Sequence, residues 1–512
     1  MVKRYDKPVT GWTGRWTFVL AATGSTVGLG NIWKFPSMAG ADGGTYFILI
    51  YLLCLVLMGI PLLMAEVALG RRARRNPVAA IEFWRAEVHA AKAWVWAGRL
   101  GILAGFLVLS FYAVVGGFGL AYVFFSAFGD FVNAGHAVVL AELGRLTASP
   151  EDMVGWHTLF IALVIVVSLR GVNRGLERAL RVIMPALFVL LAILLLYVWR
   201  HADFNQAVAF LFSMNSGHLR WQTLFDALGH AFFTLSLGMA VMMAYGAYMP
   251  PRSSVVGSAV VIALADTLVA LAAGLVVFSA VFSQNLAPSA GFGLLFQSVP
   301  EAFGGLPGGQ FIGSMFFLVV SLAAWSSAIS VMEPAVAWCQ ERLGMARQWA
   351  VVGVGVAAWL VGLGTVFSFN IWSQSDFLGA NFFEWINFIT ASLLLPLTGF
   401  LITLFAGRVA SSGYMREAMG LRWRPLYIAV RWSLRYLSPL AIVLVCLWSV
   451  HGFMSTLCVQ TRAPDWCPAA GGNVVPGSSP APELRGGARL GLGSKTPLPV
   501  VPEPYGGVET YS

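Results

Sequence analysis

Charge is what this chain has least of. Acidic and basic side chains make up 11% of its 512 residues, against 58% hydrophobic, and the mean hydropathy is +0.76. A soluble globule of this size has no means of covering its surface with so few charges, so that class is excluded. Short alternating strands are also missing, which excludes a β-barrel. Only five cysteines occur, Cys54, Cys339, Cys446, Cys458 and Cys467, and none has metal-ligand spacing. Cys54, Cys339 and Cys446 sit in apolar segments and read as inert core residues. No cleavable leader is evident, because the first apolar run is too long and lacks a small-residue cleavage site. The chain has no phosphate loop, metal-hydrolase motif or nucleophile elbow, and the Gly-x-Gly at Gly28 and Gly30 follows no strand. Nothing here reads as an enzyme.

What the sequence has instead is a succession of apolar runs of about 20 residues or more, the length that crosses a bilayer. Eleven spans are read, at 14–40, 44–70, 94–127, 154–170, 175–199, 221–249, 255–285, 309–341, 348–369, 377–407 and 434–457. The expectation is an all-α polytopic membrane protein. The net charge of +9 does not mark a nucleic-acid surface, because it is sorted by loop. Arg71, Arg72, Arg74 and Arg75, then Arg170, Arg174, Arg178 and Arg181, then Arg416, Arg422, Arg424 and Arg431 occupy alternate connections. Asp130, Glu142, Glu151, Asp152, Glu301, Asp376 and Glu384 occupy the others. This is positive-inside patterning. It puts residues 1–13 in the cytoplasm and, with eleven spans, the C-terminus outside. Residues 460–512 are rich in Pro, Gly and Ser and read as a disordered tail. Cys458 and Cys467 are left open between a short-loop disulfide and free thiols.

Two spans are interrupted. Gly24-Ser25-Thr26-Val27-Gly28-Leu29-Gly30-Asn31 puts three glycines and three polar residues inside an apolar run. Each glycine costs a membrane helix about 1 kcal/mol relative to alanine, and freed backbone in lipid must find protein partners or line a cavity. The sixth span repeats the pattern with Thr234, Ser236 and Gly238 in Ala231-Phe232-Phe233-Thr234-Leu235-Ser236-Leu237-Gly238-Met239. First and sixth are equivalent places in two five-span halves, 14–199 and 221–407, with 434–457 as an eleventh helix. Matched interruptions of this kind point to an inverted-repeat transporter with its site at the bilayer midplane.

The run from Gly24 to Pro36, followed by Gly43-Gly44 and by Gly59-Ile-Pro-Leu-Leu-Met-Ala-Glu66, resembles the neurotransmitter:sodium symporter family. Ala231–Gly238 and Trp325-Ser-Ser-Ala-Ile-Ser-Val-Met-Glu-Pro334 resemble its bacterial members. The resemblance covers about residues 10–457. It implies the five-plus-five inverted-repeat, leucine-transporter-like fold with about 11 transmembrane helices, helices 1 and 6 broken. It also implies a Na⁺-coupled symporter of a bacterial inner membrane, a monomer or weak homodimer whose other partners are an amino acid and the bilayer.

Site residues follow from the resemblance and from the polarity of helix ends. Carbonyls at the end of one half-helix suit a cation, and N–H groups at the start of the next suit a carboxylate. The N–H groups of Leu29 and Gly30 are expected to hold the substrate carboxylate, closed over by Tyr112. Carbonyls of Thr26, Phe233 and Thr234, with the Ser236 hydroxyl, are expected to receive the amine. The first sodium site is expected to use Thr26, Asn31, Thr234, Asp266 and the substrate carboxylate. The second is expected to use Gly24, Val27, Ala323, Ser326 and Ser327. The side-chain pocket is read as Thr26, Val108, Tyr112, Phe233, Met239, Ser327 and Val331, apolar enough for a neutral, aliphatic to aromatic amino acid. Thr26 departs from the small residue usual in the family and narrows it.

Asp266 stands alone in Ile262-Ala-Leu-Ala-Asp-Thr-Leu-Val-Ala270, and an intramembrane carboxylate is costly and usually functional. Many animal relatives have asparagine there and bind chloride nearby, with a serine one turn later. Here that position is Ala270, and His230 replaces the usual glutamine. Asp266 is therefore expected to supply the charge that chloride supplies elsewhere, giving chloride-independent transport that admits a proton-linked return. His230 is open between a titrating neighbour of Asp266 and a hydrogen-bonded histidine. Glu66 and Glu333 match family positions that bond the free N–H groups of the broken helices.

For the outer gate, Lys34 matches the basic partner, while Asn387 stands where the acid is usual; Glu384 is the alternative partner. Tyr112 and Phe233 are the expected aromatic lid. For the inner gate, Glu341 matches the acidic partner, and Val9 occupies the basic position, with Arg4 or Lys7 as substitutes. Gly175 and Pro185 resemble a bacterial motif that lets the fifth helix unwind beside the second sodium site. The altered gates keep a different class open, a non-transporting amino-acid sensor or uncoupled channel on the same fold. Uptake that depends on a Na⁺ gradient separates the two.

Overall fold

The computed structural model describes residues 11–212, 220–286, 291–375 and 377–459. Cys467, Asp376, the tail at 460–512 and the inner-gate candidates Arg4, Lys7 and Val9 lie outside these residues. The described chain is helical, with a single isolated bridge between Phe377 and Ala380. Nine continuous helical stretches are long and apolar enough to cross a membrane. They are Thr45–Ala73, Lys92–Phe128, Pro150–Leu169, Val172–His201, Val255–Ser283, Gly309–Leu343, Arg347–Phe369, Phe382–Val409 and Arg424–Cys458. Two discontinuous spans complete eleven.

The first span is helical over Arg15–Thr26, opens at Val27, and resumes as a wide turn over Gly30–Lys34 that runs into Phe35–Ala41. Val27 adopts extended backbone, φ −70° and ψ 98°. Pro36 stands at the start of the resumed helix, where a missing N–H costs little. The sixth span is helical over Trp221–Thr234 and Val241–Ala247. Between these, Ser236, Gly238 and Ala240 have φ of +53°, +79° and +60°. Two of the three are not glycine, so the break holds left-handed backbone that L side chains disfavour. Gly238 has no alternative, since a Cβ there would lie 2.7 Å from the Leu395 carbonyl.

The scaffold around the breaks is packed through small residues, as in other membrane bundles. The third span, Lys92–Phe128, lies along the eighth, Gly309–Leu343. The second half of span six lies on span two so closely that a Cβ at Gly70 would meet the Met243 carbonyl at 1.8 Å. One face of the bundle gathers the arginine-bearing ends. Arg74 donates to the Met249 carbonyl (3.2 Å), Arg72 pairs with Glu87 (2.7 Å) and Glu417 (3.3 Å), and Arg347 donates to the Ser168 carbonyl (3.0 Å).

On the opposite face, Asp42 closes the first span and is 7% exposed. Burial, then repulsion from Asp226, raises its carboxyl to about 7; a hydrogen bond with Thr223 and the charge of Arg220 oppose this. The folded chain therefore holds a proton at Asp42 that the unfolded chain releases near pH 3.8. The stability this contributes is present below about pH 4 and lost as pH rises through about 7. Asp42→Asn should flatten the fall of thermal stability across that window in detergent-solubilised protein. An identical pH slope in wild type and variant would refute it.

Candidate functional site

The two breaks face each other and are tied directly. The Ser236 hydroxyl, on the left-handed residue of the sixth span, donates to the Ser25 carbonyl at 2.8 Å. Around this contact the carbonyl end of Arg15–Thr26 gathers on one side chain of span eight. Ser327 Oγ lies 3.3 Å from the Gly24 carbonyl, 3.2 Å from that of Ser25 and 3.2 Å from that of Val27. One turn-mate, Ser326, donates to the Ala323 carbonyl at 3.0 Å. Ser326 is fully buried and Ser327 nearly so. A hydroxyl has one proton and cannot satisfy three carbonyls. The surplus is a set of hard oxygen acceptors at the negative end of a half-helix, which fits an alkali cation. Of the residues expected at the second sodium site, Gly24, Val27 and Ser327 are thus brought together, the Ser25 carbonyl joins them, and Ser326 and Ala323 lie beside Ser327 on the same span.

On the other side of the break, Asp266 is fully buried with no cationic partner among the described residues. Its Oδ2 accepts from Thr234 at 2.7 Å and its Oδ1 from Asn31 at 2.9 Å; Asn31 also donates to the Asp266 carbonyl at 3.2 Å. Asn31 Oδ1 in turn accepts from the Gly28 N–H at 3.3 Å. The Thr26 hydroxyl donates to the Thr23 carbonyl (3.1 Å) and also reaches Asp266. A buried carboxylate surrounded by neutral oxygens again fits a cation of low charge density. Among the described residues, no three His, Cys, Asp or Glu side chains gather into a transition-metal site.

Between the two oxygen clusters lies a cavity of about 40 Å³, room for only a few waters. Every residue expected to touch substrate through its side chain lines it, namely Thr26, Val108, Tyr112, Phe233, Thr234, Ser236, Met239, Ser327 and Val331, together with Gly30. Ser25, Gly28, Asn31, Leu109 and Ala328 complete the wall. Leu29 is present through its backbone, whose N–H donates to the Tyr112 hydroxyl at 3.0 Å. Tyr112 also reaches Ser327. The crossing is tight: a Cβ at Gly28 would meet Tyr112 Oη at 2.8 Å and Ser327 Oγ at 2.9 Å.

The expected gates fall differently. Lys34 lies with its Nζ 5.1 Å from the centre of the Phe233 ring, a cation–π cover on the cavity's aromatic wall. The carboxylate in electrostatic reach of Lys34 is Asp226, on the sixth span. Glu384 caps its own helix, accepting from the Asn381 N–H at 2.7 Å, and Asn387 is exposed. Asp226 was missed by sequence reasoning, although it stands one and two turns before His230 and Thr234 on the same helix face. Glu341 accepts from the backbone N–H and the side-chain amide of Asn76, at 2.8 and 2.7 Å.

The supporting carboxylates divide. Glu66, fully buried, accepts the freed Gly238 N–H at 2.9 Å, as expected of a residue that organises a break. Glu333 instead forms a buried ion pair with Arg347 (2.7 and 3.0 Å) and accepts from the Tyr248 hydroxyl (3.1 Å). A guanidinium within reach outcompetes a neutral N–H for the same carboxylate. His230 sits between the rings of Phe35 and Tyr51, and neither of its ring nitrogens has a hydrogen-bond partner. The expectation of a hydrogen-bonded histidine does not describe that position.

Toward the arginine-rich face, the segment just before the first span packs on the second half of span six. Trp12 is buried against Tyr245 and Tyr248, its ring N–H donating to the Tyr245 carbonyl at 3.3 Å. Beside it Thr13 bonds to Glu177, which also receives Arg181 at 2.6 Å. Gly175 lies in the widened turn Val172–Glu177 and Pro185 inside the helix Arg178–His201. Leu180 and Met184, between them, cover Gly24: a Cβ there would meet their side chains at 2.9 and 3.1 Å.

Comparisons with known proteins agree with this fold. The sequence profile described as "Sodium:neurotransmitter symporter family" matches residues 10–134 and 144–475. An uncharacterised sodium-dependent transporter of Bacillus subtilis, YhdH, is 36% identical over 445 residues, covering 86% of this chain and 98% of the relative. The sodium-dependent neutral amino acid transporter B(0)AT3 of Mus musculus is 28% identical over 297 residues, 52% of this chain and 47% of the relative. Among solved structures, that of MhsT in complex with L-phenylalanine superposes with a TM-score of 0.78 at 36% identity, covering 86% of this chain and 99% of that one.

The Glu66 contact supplies a prediction. Glu66→Ala leaves the Gly238 N–H buried without an acceptor, a loss of about 1–3 kcal/mol, whereas Glu66→Gln keeps an acceptor oxygen. Thermal unfolding in detergent should rank wild type above Gln and Gln above Ala. Equal midpoints for Gln and Ala would show that the bond does not hold the break.

Proposed function

This chain belongs to the sodium:neurotransmitter symporter family, whose members are transporters and not enzymes, and on that premise we propose that it imports a neutral amino acid together with Na⁺. The reading extends to two sodium sites, to independence of chloride, and to a bacterial inner membrane with the arginine-rich face and the N-terminus on the cytoplasmic side. The observation that carries it is the meeting of two opposed helix ends around one small cavity. Carbonyls of Gly24, Ser25 and Val27 converge on Ser327, and Asp266, Asn31 and Thr234 gather on the far side.

Each half of that site has an assigned duty. The Leu29 and Gly30 N–H groups, at the start of the resumed helix, form the positive end of its dipole and would take the substrate carboxylate. Tyr112, which already accepts from Leu29, would turn its hydroxyl to the same carboxylate. The Thr26, Phe233 and Thr234 carbonyls and Ser236 would take the amine. Na⁺ supplies, when bound, the positive charge that the gathered carbonyls and Asp266 lack. A substrate carboxylate sharing the Asp266 cluster gives a direct reason for coupling, since each bound solute then strengthens the other's binding by the same factor. Val108, Leu109, Phe233, Met239, Ala328 and Val331 present no charge to the substrate side chain, which supports a neutral amino acid. The MhsT neighbour was solved with L-phenylalanine, which supports the aromatic end of that range.

Release toward the arginine-rich face would begin at the fifth span. Its widened turn at Gly175 and its interior Pro185 weaken the helix on both sides of Leu180 and Met184, the residues that cover Gly24. Unwinding there uncovers the second oxygen cluster from that face. The Thr13–Glu177–Arg181 contacts hold it shut meanwhile.

Proteoliposomes carrying the purified chain should accumulate a radiolabelled neutral amino acid under an inward Na⁺ gradient, equally with chloride or gluconate outside. The competing panel of common amino acids identifies which. Saturable binding with no accumulation would assign the chain to a sensor instead. Asp266→Asn should lower apparent Na⁺ affinity by about tenfold, some 1.4 kcal/mol, or make uptake require chloride. Unchanged Na⁺ affinity with continued chloride independence would remove Asp266 from its role.

A further inference from the structure

A second recess, of about 430 Å³, opens on the arginine-rich face between the short helix Ser412–Met419 and the start of the last span, Arg424–Trp432. Four guanidinium-bearing residues line it: Arg416, Arg424, Arg431 and Arg435. Arg431 lies two helical turns after Arg424, and Arg435 one turn further, so all three share one stripe of the helix. Among the described residues none of the four is in an ion pair. Glu417, the one carboxylate between residues 404 and 459, is turned to Arg72.

The contacts these arginines do make aim them without neutralising them. Arg431 donates to the Tyr427 hydroxyl (2.8 Å) and the Ala410 carbonyl (3.3 Å), and Arg416 to the Leu421 and Arg422 carbonyls (2.9 and 2.6 Å). Arg435 lies 5.5 Å from the Tyr436 ring centre. Held like-charges repel one another, and an anion is the partner that reverses the sign. Guanidinium groups in particular match the planar, multidentate demands of a phosphate.

The recess does not end in water. An apolar groove of about 540 Å³ adjoins it, walled by Leu57, Pro425, Ala429 and Leu437, and Ile428 and Trp432 line both spaces. Ile428 and Trp432 are each 56% exposed on the outer surface of a membrane span, where the covering medium is lipid. A free anion would use the arginines and leave the groove unexplained, while an acyl chain alone would leave the arginines unexplained. We propose that recess and groove together bind one anionic phospholipid, its phosphate among Arg424, Arg431 and Arg435 and an acyl chain along the groove. The lipid bridges Ser412–Met419, which packs on the helix Ile60–Ala73 that carries Glu66, to the last span. The site lies apart from the cavity between the two breaks and does not depend on what is transported.

Native mass spectrometry of the full-length protein, delipidated in detergent and titrated with phosphatidylglycerol or phosphatidylcholine of matched chains, tests this. Phosphatidylglycerol should be retained about tenfold more tightly. The Arg424→Gln/Arg435→Gln variant should lose that preference, and an Arg170→Gln/Arg174→Gln variant, altered on the same face outside the recess, should keep it. Phenylglyoxal labelling of wild type in nanodiscs gives a reading that needs no variant: modification of Arg424 and Arg435 should fall severalfold in phosphatidylglycerol relative to phosphatidylcholine. Equal retention of both lipids, or equal labelling in both nanodiscs, overturns the site. So does release of the lipid by millimolar inorganic phosphate, which would assign the arginines to a free anion.

Discussion

Backbone polar groups released inside a bilayer have no water to turn to, and the centre of this molecule is built around that constraint. Two helices are broken side by side, and freed groups find partners in the other break, in a neighbouring span or in the same break. Ser236 donates to the Ser25 carbonyl, Glu66 accepts from Gly238, Tyr112 accepts from Leu29, and Asn31 accepts from Gly28. The arrangement is unequal in one respect. The N–H groups find oxygen acceptors, but the carbonyls of Gly24 and Val27 compete for the single proton of Ser327, which also lies against the Ser25 carbonyl that Ser236 already serves. Acceptors in excess at the negative end of a half-helix suit a cation.

The two ends of the cavity are closed by different chemistry. Toward the arginine-rich face carboxylates make the closure: Glu177 with the half-exposed Arg181 and with Thr13, Glu333 in a buried ion pair with Arg347 and a hydrogen bond with Tyr248, and Glu341 in hydrogen bonds with Asn76. Breaking a buried pair exposes an uncompensated charge and is costly unless water enters with it. Toward the other face the cover is Lys34 over Phe233, a weaker contact that needs no new partner when it parts. Opening the two ends therefore differs in cost before any ligand is considered. A ligand shifts such a balance only by binding the two arrangements unequally.

Much of this was legible in the sequence, for stated reasons. A run of Gly, Ser and Thr inside an apolar span is costly as helix, so both breaks announced themselves, and Asp266 did so by being a charge among aliphatic residues. Residues recognised by side-chain type were found. Backbone groups were named where the resemblance supplied them, as at Gly24, Val27, Leu29 and Gly30, but a further backbone acceptor and residues acting through a distant partner were not. Ser25 matters through its carbonyl, which no side-chain pattern reports. Arg347 is separated from Glu333 by fourteen positions and a change of span, so its claim on that carboxylate is a property of the fold. Asp226 was visible by helical spacing from Thr234, but its link to Lys34 depends on how the first and sixth spans cross. The arginines of the last span were read only as a topology signal, and the recess they form requires the packing of Ser412–Met419 against them.

Thr26 shows how structure reassigns a residue that sequence can only describe by size. As a residue larger than its usual counterpart it narrows the pocket, and it does line the cavity. Its hydroxyl, however, is committed to the Thr23 carbonyl and to Asp266, so it serves the oxygen cluster as well as the wall. A smaller residue there would widen the cavity and at the same time take a hydroxyl away from beside the buried Asp266 carboxylate. Cavity size and the surroundings of Asp266 are thereby joined at one position, and a change in one alters the other. The walls free to vary independently are Val108, Met239 and Val331, apolar side chains with no hydrogen bond to lose.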